Sequence, residues 1–113
     1  MHELSATQSI LTLALAELNK VGAVKLIRIY VKLGEWSTFD PDCLKLCFGV
    51  IARGTPAETA DLMIESVPVK YVCTDCGFDY IPEMGSFSCP QCSGSRGKLI
   101  SGREFYVESI EVQ

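Results

Sequence analysis

The sequence predicts an α+β protein in which two helices pack on a three-stranded sheet and a small zinc-ribbon-like module with four cysteines is inserted. Three observations lead to this fold class. Apolar residues recur at helical spacing in two segments, they alternate with polar residues in others, and two Cys-x-x-Cys pairs lie in a segment rich in Gly, Ser and Pro. A chain of 113 residues, of which 48% are hydrophobic, is long and apolar enough for one compact unit carrying an appendage.

The first helix is predicted over residues 6–20, followed by a half-buried strand. Ser5 and Gln8 have the spacing of a capping box in which Ser5 is the N-cap, and a broad apolar stripe follows from Ile10 to Leu18. From Lys25 to Leu33 apolar and polar residues alternate, as expected for a strand with one buried face.

The second helix is predicted to begin at Asp40, with Asp40 as N-cap and Pro41 at the first helical position. Apolar residues then recur at helical spacing until Arg53 and Gly54, which indicate its end. Cys43 and Cys47 are four residues apart on this helix. Because cysteine behaves as a small apolar side chain, we expect both to pack in the core, with chelation of a metal by the pair as the alternative.

Two further strands complete the predicted sheet, one running from residue 60 towards residue 72 and one from residue 104 to residue 112. The predicted domain organisation has two parts: residues 1–70 and 101–113 form an α+β domain, and residues 71–100 form an inserted module. An insert of this size buries too little apolar surface to fold unaided, so it requires a staple such as a bound metal.

The insert contains two Cys-x-x-Cys pairs, Cys73 with Cys76 and Cys89 with Cys92. This spacing lets both sulfurs of a pair bind one ion, and four thiolates form the closed tetrahedral site typical of structural zinc. Two disulfides, a thioredoxin-like redox pair and rubredoxin-type iron are the alternatives for the same residues. No helix is predicted after either pair, which disfavours the redox motif.

Charge and composition exclude several other functions. The net charge of −4 disfavours a nucleic-acid partner, because such proteins neutralise phosphates with clustered basic residues. The longest apolar stretch is well short of the ~20 residues that a membrane span needs, and the first residues carry no secretory signal pattern. No Ser-His-Asp triad, carboxylate pair or phosphate-binding loop is visible. We therefore predict a cytoplasmic protein that is not an enzyme and contacts neither membrane nor nucleic acid.

The single histidine is the second residue, which places another candidate metal site at the amino terminus. The α-amine of Met1, the next amide nitrogen and the imidazole of His2 can close small chelate rings around one ion, with Glu3 as a further donor. Nitrogen-rich, planar ligand sets suit Ni²⁺ or Cu²⁺ better than Mg²⁺. A solvated terminal histidine without a metal-binding role is the alternative.

Other short segments accompany these two candidate sites: Met-His-Glu-Leu-Ser at the start, Gly-Glu-Trp-Ser at 34–37, Ser-Gly-Arg-Glu at 101–104 and Ser-Ile-Glu-Val at 109–112. In this combination the sequence resembles the HypA/HybF family of hydrogenase maturation nickel metallochaperones. The resemblance implies transported Ni²⁺ bound by Met1, His2 and Glu3, and a separate structural Zn²⁺ site. It also implies Asp40 as an additional nickel ligand, for which the helix N-cap role is the alternative.

The resemblance further implies delivery of Ni²⁺ to the hydrogenase large-subunit precursor together with a HypB-like maturation GTPase, and it leaves urease maturation factors open as further partners. The alternative function is a zinc-ribbon protein-interaction module that carries no nickel. The two functions differ in their need for His2, because only the nickel carrier depends on its imidazole.

Overall fold

The computed structural model describes residues 2–82 and 87–113, which form two helices and six strands. In chain order these are α1 (Glu3–Lys20), β1 (Leu26–Gly34), α2 (Pro41–Ile51), β2 (Asp61–Val67), β3 (Lys70–Cys73), β4 (Asp79–Tyr80), β5 (Gly97–Ser101) and β6 (Phe105–Val112). The strands form one sheet in the order β2-β1-β6 and another in the order β4-β3-β5. The predicted α+β fold class is therefore confirmed, and the cysteine-rich segment has a small sheet of its own. Within the described ranges, neither helix is long and apolar enough to cross a membrane.

The chain divides into two compact units. Unit 1 comprises Met1–Lys32, Thr38–Glu65 and Phe105–Gln113, and unit 2 comprises Leu33–Ser37 and Ser66–Glu104. The chain passes between the units four times: inside β1, between Ser37 and Thr38, inside β2, and just before β6.

Strand β1 is the centre of the first sheet, and β6 runs antiparallel to it. The N–H of Gln113 donates to the carbonyl of Lys25 at 2.9 Å, and the N–H of Gly34 donates to the carbonyl of Glu104 at 2.8 Å. The end of β6 thus lies beside the start of β1, and the start of β6 beside its end, as an antiparallel ladder requires.

Strand β2 lies on the other side of β1 and runs parallel to it. The N–H of Leu26 donates to the carbonyl of Pro56 at 3.0 Å, and the N–H of Glu35 donates to the carbonyl of Val67 at 2.9 Å. Parallel neighbours need a long crossover connection, and α2 provides it.

Helix α1 begins at Glu3, which is earlier than predicted, and the capping-box prediction is wrong. His2 is the N-cap; its carbonyl accepts the N–H of Ala6 at 3.0 Å, and no side chain caps this end. Ser5 lies inside the first turn, where its carbonyl accepts the Ser9 hydroxyl at 3.2 Å. Packing of the apolar face sets where α1 begins. Ala6 is already buried, so the helix starts before this residue and includes it in the first turn.

The core of unit 1 lies between α1, α2 and the first sheet, and α1 packs on α2 and β6. Thr7 is a fully buried polar residue, and its hydroxyl donates to the carbonyl of Glu3 at 2.9 Å, so this buried hydroxyl is paired. The buried side chains of this unit are Ala6, Thr7, Ile10, Leu11, Ala14, Leu18, Leu26, Ile29, Val31, Leu44, Phe48, Ala52, Ala57 and Leu62.

Helix α2 begins as predicted, but its two cysteines do not lie in the core. Leu44 and Phe48 form its buried stripe, whereas Cys43 is exposed and Cys47 is only partly buried. Each cysteine immediately precedes a stripe residue and is therefore rotated by about 100° around the helix axis. The core-packing prediction is wrong for Cys43, because helical spacing alone did not show which side of the apolar stripe faces the sheet.

The second predicted strand is divided at Pro68. Because proline has no N–H to continue a ladder, β2 ends at Val67 and β3 begins at Lys70. β3 pairs antiparallel with both neighbours in the second sheet, with Tyr71 opposite Tyr80 on one side and Leu99 on the other.

A tight crossing of backbone in unit 2 explains the Gly-Glu-Trp segment. The N–H of Trp36 donates to the carbonyl of Gly102 at 2.7 Å, and the Glu35 carboxylate accepts the N–H of Val69 at 2.7 Å. A Cβ at Gly34 would overlap the carbonyl of Gly102. Only glycine fits at this crossing, since the atoms opposite belong to backbone.

We therefore predict that Gly34→Ala lowers the free energy of unfolding by about 2 kcal/mol, because the new methyl group must displace backbone. The matched control is Gly49→Ala in α2, where a Cβ meets nothing within 4 Å. Gly49→Ala should raise the free energy of unfolding by about 0.5–1 kcal/mol, since alanine is more favourable than glycine in a helix interior. Urea unfolding of both variants measures this, and equal stability of the two would contradict the crossing argument.

Candidate metal centres

The first cysteine pair lies in a tight turn at the end of β3. The N–H of Gly77 donates to the carbonyl of Cys73 at 2.8 Å, and the N–H of Cys73 donates to the carbonyl of Phe78 at 2.9 Å. Gly77 has a φ of 76°, in the left-handed region that glycine enters without steric cost. The turn folds Cys76 back so that its sulfur lies on the same side as that of Cys73.

The second pair repeats this turn. The N–H of Ser93 donates to the carbonyl of Cys89 at 2.9 Å, and the N–H of Cys89 donates to the carbonyl of Gly94 at 2.8 Å. Ser93 takes the position that Gly77 has in the first turn, with a φ of 62°. A non-glycine residue in this region carries a steric cost of roughly 1–2 kcal/mol.

The two turns bring the four sulfurs of Cys73, Cys76, Cys89 and Cys92 within 4.8 Å of one another. The Sγ atoms of Cys73 and Cys92 are 3.5 Å apart, and those of Cys76 and Cys89 are 3.6 Å apart. A tetrahedral ion with metal–sulfur distances of about 2.3 Å needs sulfurs about 3.8 Å apart, which this cluster matches closely. All four cysteines are free, so the disulfide alternative does not describe this structure.

Backbone amides surround the sulfurs. The N–H of Gln91 donates to Sγ of Cys89, and the N–H of Gly94 donates to Sγ of Cys92, each at 3.4 Å. Such bonds stabilise the negative charge of a thiolate. The cluster is thus prepared for a cation that binds four thiolates.

Without a metal, the pKa values of the Cys73 and Cys92 thiols differ. The backbone N–H of Cys76 is the main factor that lowers the pKa of Cys73 to about 7. The N–H of Gly94 acts in the same direction on Cys92, but the thiols of Cys73 and Cys76 outweigh it and raise its pKa to about 12. A divalent cation would replace the remaining protons, so metal affinity should increase with pH.

Aromatic rings pack beside the buried half of the cluster. Cys73 and Cys89 are buried together with Tyr80, and Tyr71 packs against them. The Tyr80 hydroxyl donates to the carbonyl of Phe87 at 2.7 Å. These aromatic side chains therefore pack against the two buried cysteines, Cys73 and Cys89. The other two, Cys76 and Cys92, are exposed to solvent.

The second candidate centre lies where the first turns of α1 and α2 meet. His2 is exposed and directly precedes α1, and Glu3 is half-buried. The carboxylate of Glu3 accepts the N–H of Asp40 at 3.3 Å, which joins residues 37 positions apart in the sequence. Two of the predicted nickel ligands, Glu3 and Asp40, are therefore in contact; Met1 lies outside the described residues.

Asp40 has two roles in this arrangement. Its Oδ1 accepts the N–H of Asp42 at 2.9 Å, which confirms the predicted N-cap, and its Oδ2 accepts the thiol of Cys43 at 3.6 Å. The Asp40 carboxylate is the main factor that raises the pKa of the Cys43 thiol. Sequence reasoning missed Cys43 as a neighbour of this centre, although its position three residues after the cap places it one helical turn away.

A family model described as hydrogenase/urease nickel incorporation, metallochaperone, HypA matches residues 1–112. The chain belongs to the HypA family. A hydrogenase maturation factor HypA from Dehalococcoides mccartyi is 35% identical over 112 residues, which covers 99% of this chain and 94% of the relative. A HypA from Caldanaerobacter subterraneus is 36% identical over 115 residues and covers 100% of both chains.

Solved HypA structures share the fold along the whole chain. The solution structure of a HypA protein has a TM-score of 0.80 at 26% identity and covers 100% of this chain and 97% of that one. The solution structure of the nickel metallochaperone HypA from Helicobacter pylori has a TM-score of 0.70 at 26% identity, covering 99% and 97%. HypA proteins are nickel metallochaperones for hydrogenase maturation and not catalysts, so the predictions of family, function and non-enzymatic class are confirmed.

The strained position of Ser93 yields a prediction about metal retention in the HypA cysteine cluster. Ser93→Gly should remove the steric cost and slow the loss of Zn²⁺ to a chelator by about fivefold, equivalent to about 1 kcal/mol. Gly77→Ser, the reciprocal change at the equivalent position, should accelerate loss by a similar factor. Chelator competition on zinc-loaded protein measures both, and changes of the same sign would contradict the assignment of strain to this backbone position.

Proposed function

We propose that this HypA chain carries Ni²⁺ at its amino terminus and holds a structural Zn²⁺ in its cysteine cluster. The nickel ligands in this proposal are Met1, through its α-amine, His2, Glu3 and Asp40. The single observation that carries the nickel part is the contact of Glu3 with Asp40, directly beside His2, in a chain of a nickel-incorporation family.

The zinc part of the proposal rests on four cysteine ligands alone. Cys73, Cys76, Cys89 and Cys92 offer four soft donors near tetrahedral spacing, so they would fill all four positions around Zn²⁺ and leave none open for a water or a substrate. A metal ion bound in a site of this kind stabilises the fold. Rubredoxin-type iron would use the same four donors, and metal analysis of the purified protein distinguishes the two ions.

The nickel part rests on exposure and donor type. His2 and Asp40 are exposed, so a bound ion would remain open to ligand exchange with an acceptor protein. Nitrogen donors from an amine and an imidazole suit Ni²⁺, and two carboxylates add negative charge that favours a divalent cation. In this proposal, residues 1–70 and 101–113 form the nickel-binding domain and residues 71–100 the zinc-binding module.

The proposed partners follow from the family. The chain would pass Ni²⁺ to the hydrogenase large-subunit precursor together with a HypB-like GTPase, and the family description makes urease maturation factors a second set of acceptors. In this proposal, the transfer of Ni²⁺ takes place in the cytoplasm. A net charge of −4 fits protein partners better than nucleic acid.

His2→Ala is expected to abolish the binding of about one Ni²⁺ per chain, because it removes the imidazole from the chelate. Calorimetric titration of zinc-loaded protein without an N-terminal tag measures this, since a tag would block the amine. Ser5→Ala is the matched control, being an exposed residue in the first turn of α1. If wild type itself binds no nickel, the zinc-ribbon interaction module without nickel becomes the better function, and if wild type and His2→Ala bind nickel equally, the N-terminal site is wrong.

Asp40→Asn separates the two roles of this carboxylate. Asparagine caps a helix about as well as aspartate, so the free energy of unfolding should change by no more than about 0.5 kcal/mol. Loss of the negative charge should lower the nickel affinity by about tenfold, or about 1.4 kcal/mol. Unfolding and titration of the same preparation test both statements, and an unchanged nickel affinity would leave Asp40 with its capping role alone.

A further inference from the structure

Cys43 is an exposed thiol beside the proposed nickel ligands. Its sulfur is 3.6 Å from Oδ2 of Asp40, and the N–H of Asp40 in turn bonds to the carboxylate of Glu3. Because Cys43 faces away from the buried stripe of α2, packing does not account for its position.

The geometry between Cys43 and Asp40 suits two ligands of one ion. Donors at about 2.3 Å for sulfur and about 2.1 Å for oxygen lie about 3.6 Å apart when they subtend a tetrahedral angle, and about 3.1 Å apart at a right angle. The observed separation of 3.6 Å is that of a thiol–carboxylate hydrogen bond; it fits a tetrahedral ion as it stands, and a planar Ni²⁺ site needs the two donors to approach by about 0.5 Å. Both side chains come from the first turn of one rigid helix, so little rearrangement is needed for them to share a cation.

Resting on the function proposed above, we propose that Cys43 is a sulfur ligand of the nickel ion carried at the amino terminus. On binding, the ion displaces the thiol proton to solvent and a nickel–sulfur bond forms, without any change of oxidation state. In the empty site Glu3 and Asp40 carry two negative charges and Cys43 is a neutral thiol; on binding, the thiolate adds a third negative charge, of which Ni²⁺ would neutralise two.

A thiolate ligand changes which metal ions this centre prefers. Thiolate is a soft ligand, and its addition to nitrogen and oxygen donors disfavours Mg²⁺ relative to nickel, copper and zinc. Cys47 lies one turn further along α2 and is partly buried, so it offers the same thiol chemistry at a position farther from Asp40 along the helix. It is therefore the matched control.

The experiment is a Ni²⁺ titration of tag-free, zinc-loaded protein followed by near-ultraviolet absorption, with the zinc content measured throughout. Wild type should develop a sulfur-to-nickel charge-transfer band at one equivalent. Cys43→Ser should lose the band and bind nickel about tenfold more weakly, while Cys47→Ser should keep both. Serine can still hydrogen-bond to Asp40, so we expect the fold of the Cys43→Ser variant to be retained.

A second measurement uses the unaltered chain. Bound Ni²⁺ should protect Cys43 from alkylation by iodoacetamide, as read by peptide mass mapping, and should leave the labelling of Cys47 unchanged. Equal labelling of Cys43 with and without nickel overturns the proposal, as does a charge-transfer band that survives Cys43→Ser or is absent from wild type.

His2→Ala in the same titration keeps the two proposals separable. If it abolishes nickel binding while Cys43→Ser leaves band and affinity unchanged, only the sulfur ligand is wrong. If His2→Ala binds nickel as wild type does, the N-terminal site itself is wrong, and the role of Cys43 fails with it.

Discussion

The convergence of four cysteine sulfurs is the constraint on which unit 2 depends. This unit offers few buried apolar side chains among its described residues: Leu33, Val69, Cys73, Tyr80 and Cys89. Two of the five are cysteines of the cluster itself, so the site is part of the core. A unit with so little apolar burial gains its stability from bonds to a metal, as small metal-binding domains do.

Unit 1 depends on ordinary apolar packing, and its candidate site is a consequence of that packing. Burial of one face of α1 sets where α1 begins, whereas the Asp40-Pro41 cap sets where α2 begins. Because both helices begin near each other, Glu3 and the cap residue Asp40 come into hydrogen-bond contact. Glu3 and Asp40 are therefore held at the starts of two helices, and His2 directly precedes α1.

Helix caps and turns that depend only on residues close together in the chain could be predicted from the sequence. The Asp40-Pro41 helix start and the paired cysteine turns depend on neighbours within a few residues, and both form as expected. The break at Pro68 could also have been found, because proline cannot continue a ladder. The start of α1 could not, since Ser5 is a good cap in isolation and only tertiary burial of Ala6 moves the start to Glu3.

The exposure of Cys43 shows where such reasoning ends. A cysteine adjacent to an apolar stripe has the same pattern whether it faces the core or solvent, because one position on a helix changes the direction of the side chain by about 100°. Only the packing of Leu44 and Phe48 decides between the two. The same ambiguity separates a structural residue from a candidate metal ligand, and the contact of Cys43 with Asp40, three residues earlier, is what makes Cys43 a candidate.

The two centres differ in the property that metal transfer requires. In the cysteine cluster, two donors are buried, amide hydrogen bonds surround the sulfurs, and all four positions around an ion are filled by one short segment of chain. An ion held in this way leaves only after several metal–sulfur bonds have broken. In the proposed nickel site at the start of α1 the donors come from separate helices and include exposed side chains, so an acceptor could replace them one at a time. A thiolate from Cys43 would strengthen that open site without closing it, because a fixed helix contributes the sulfur from one side only.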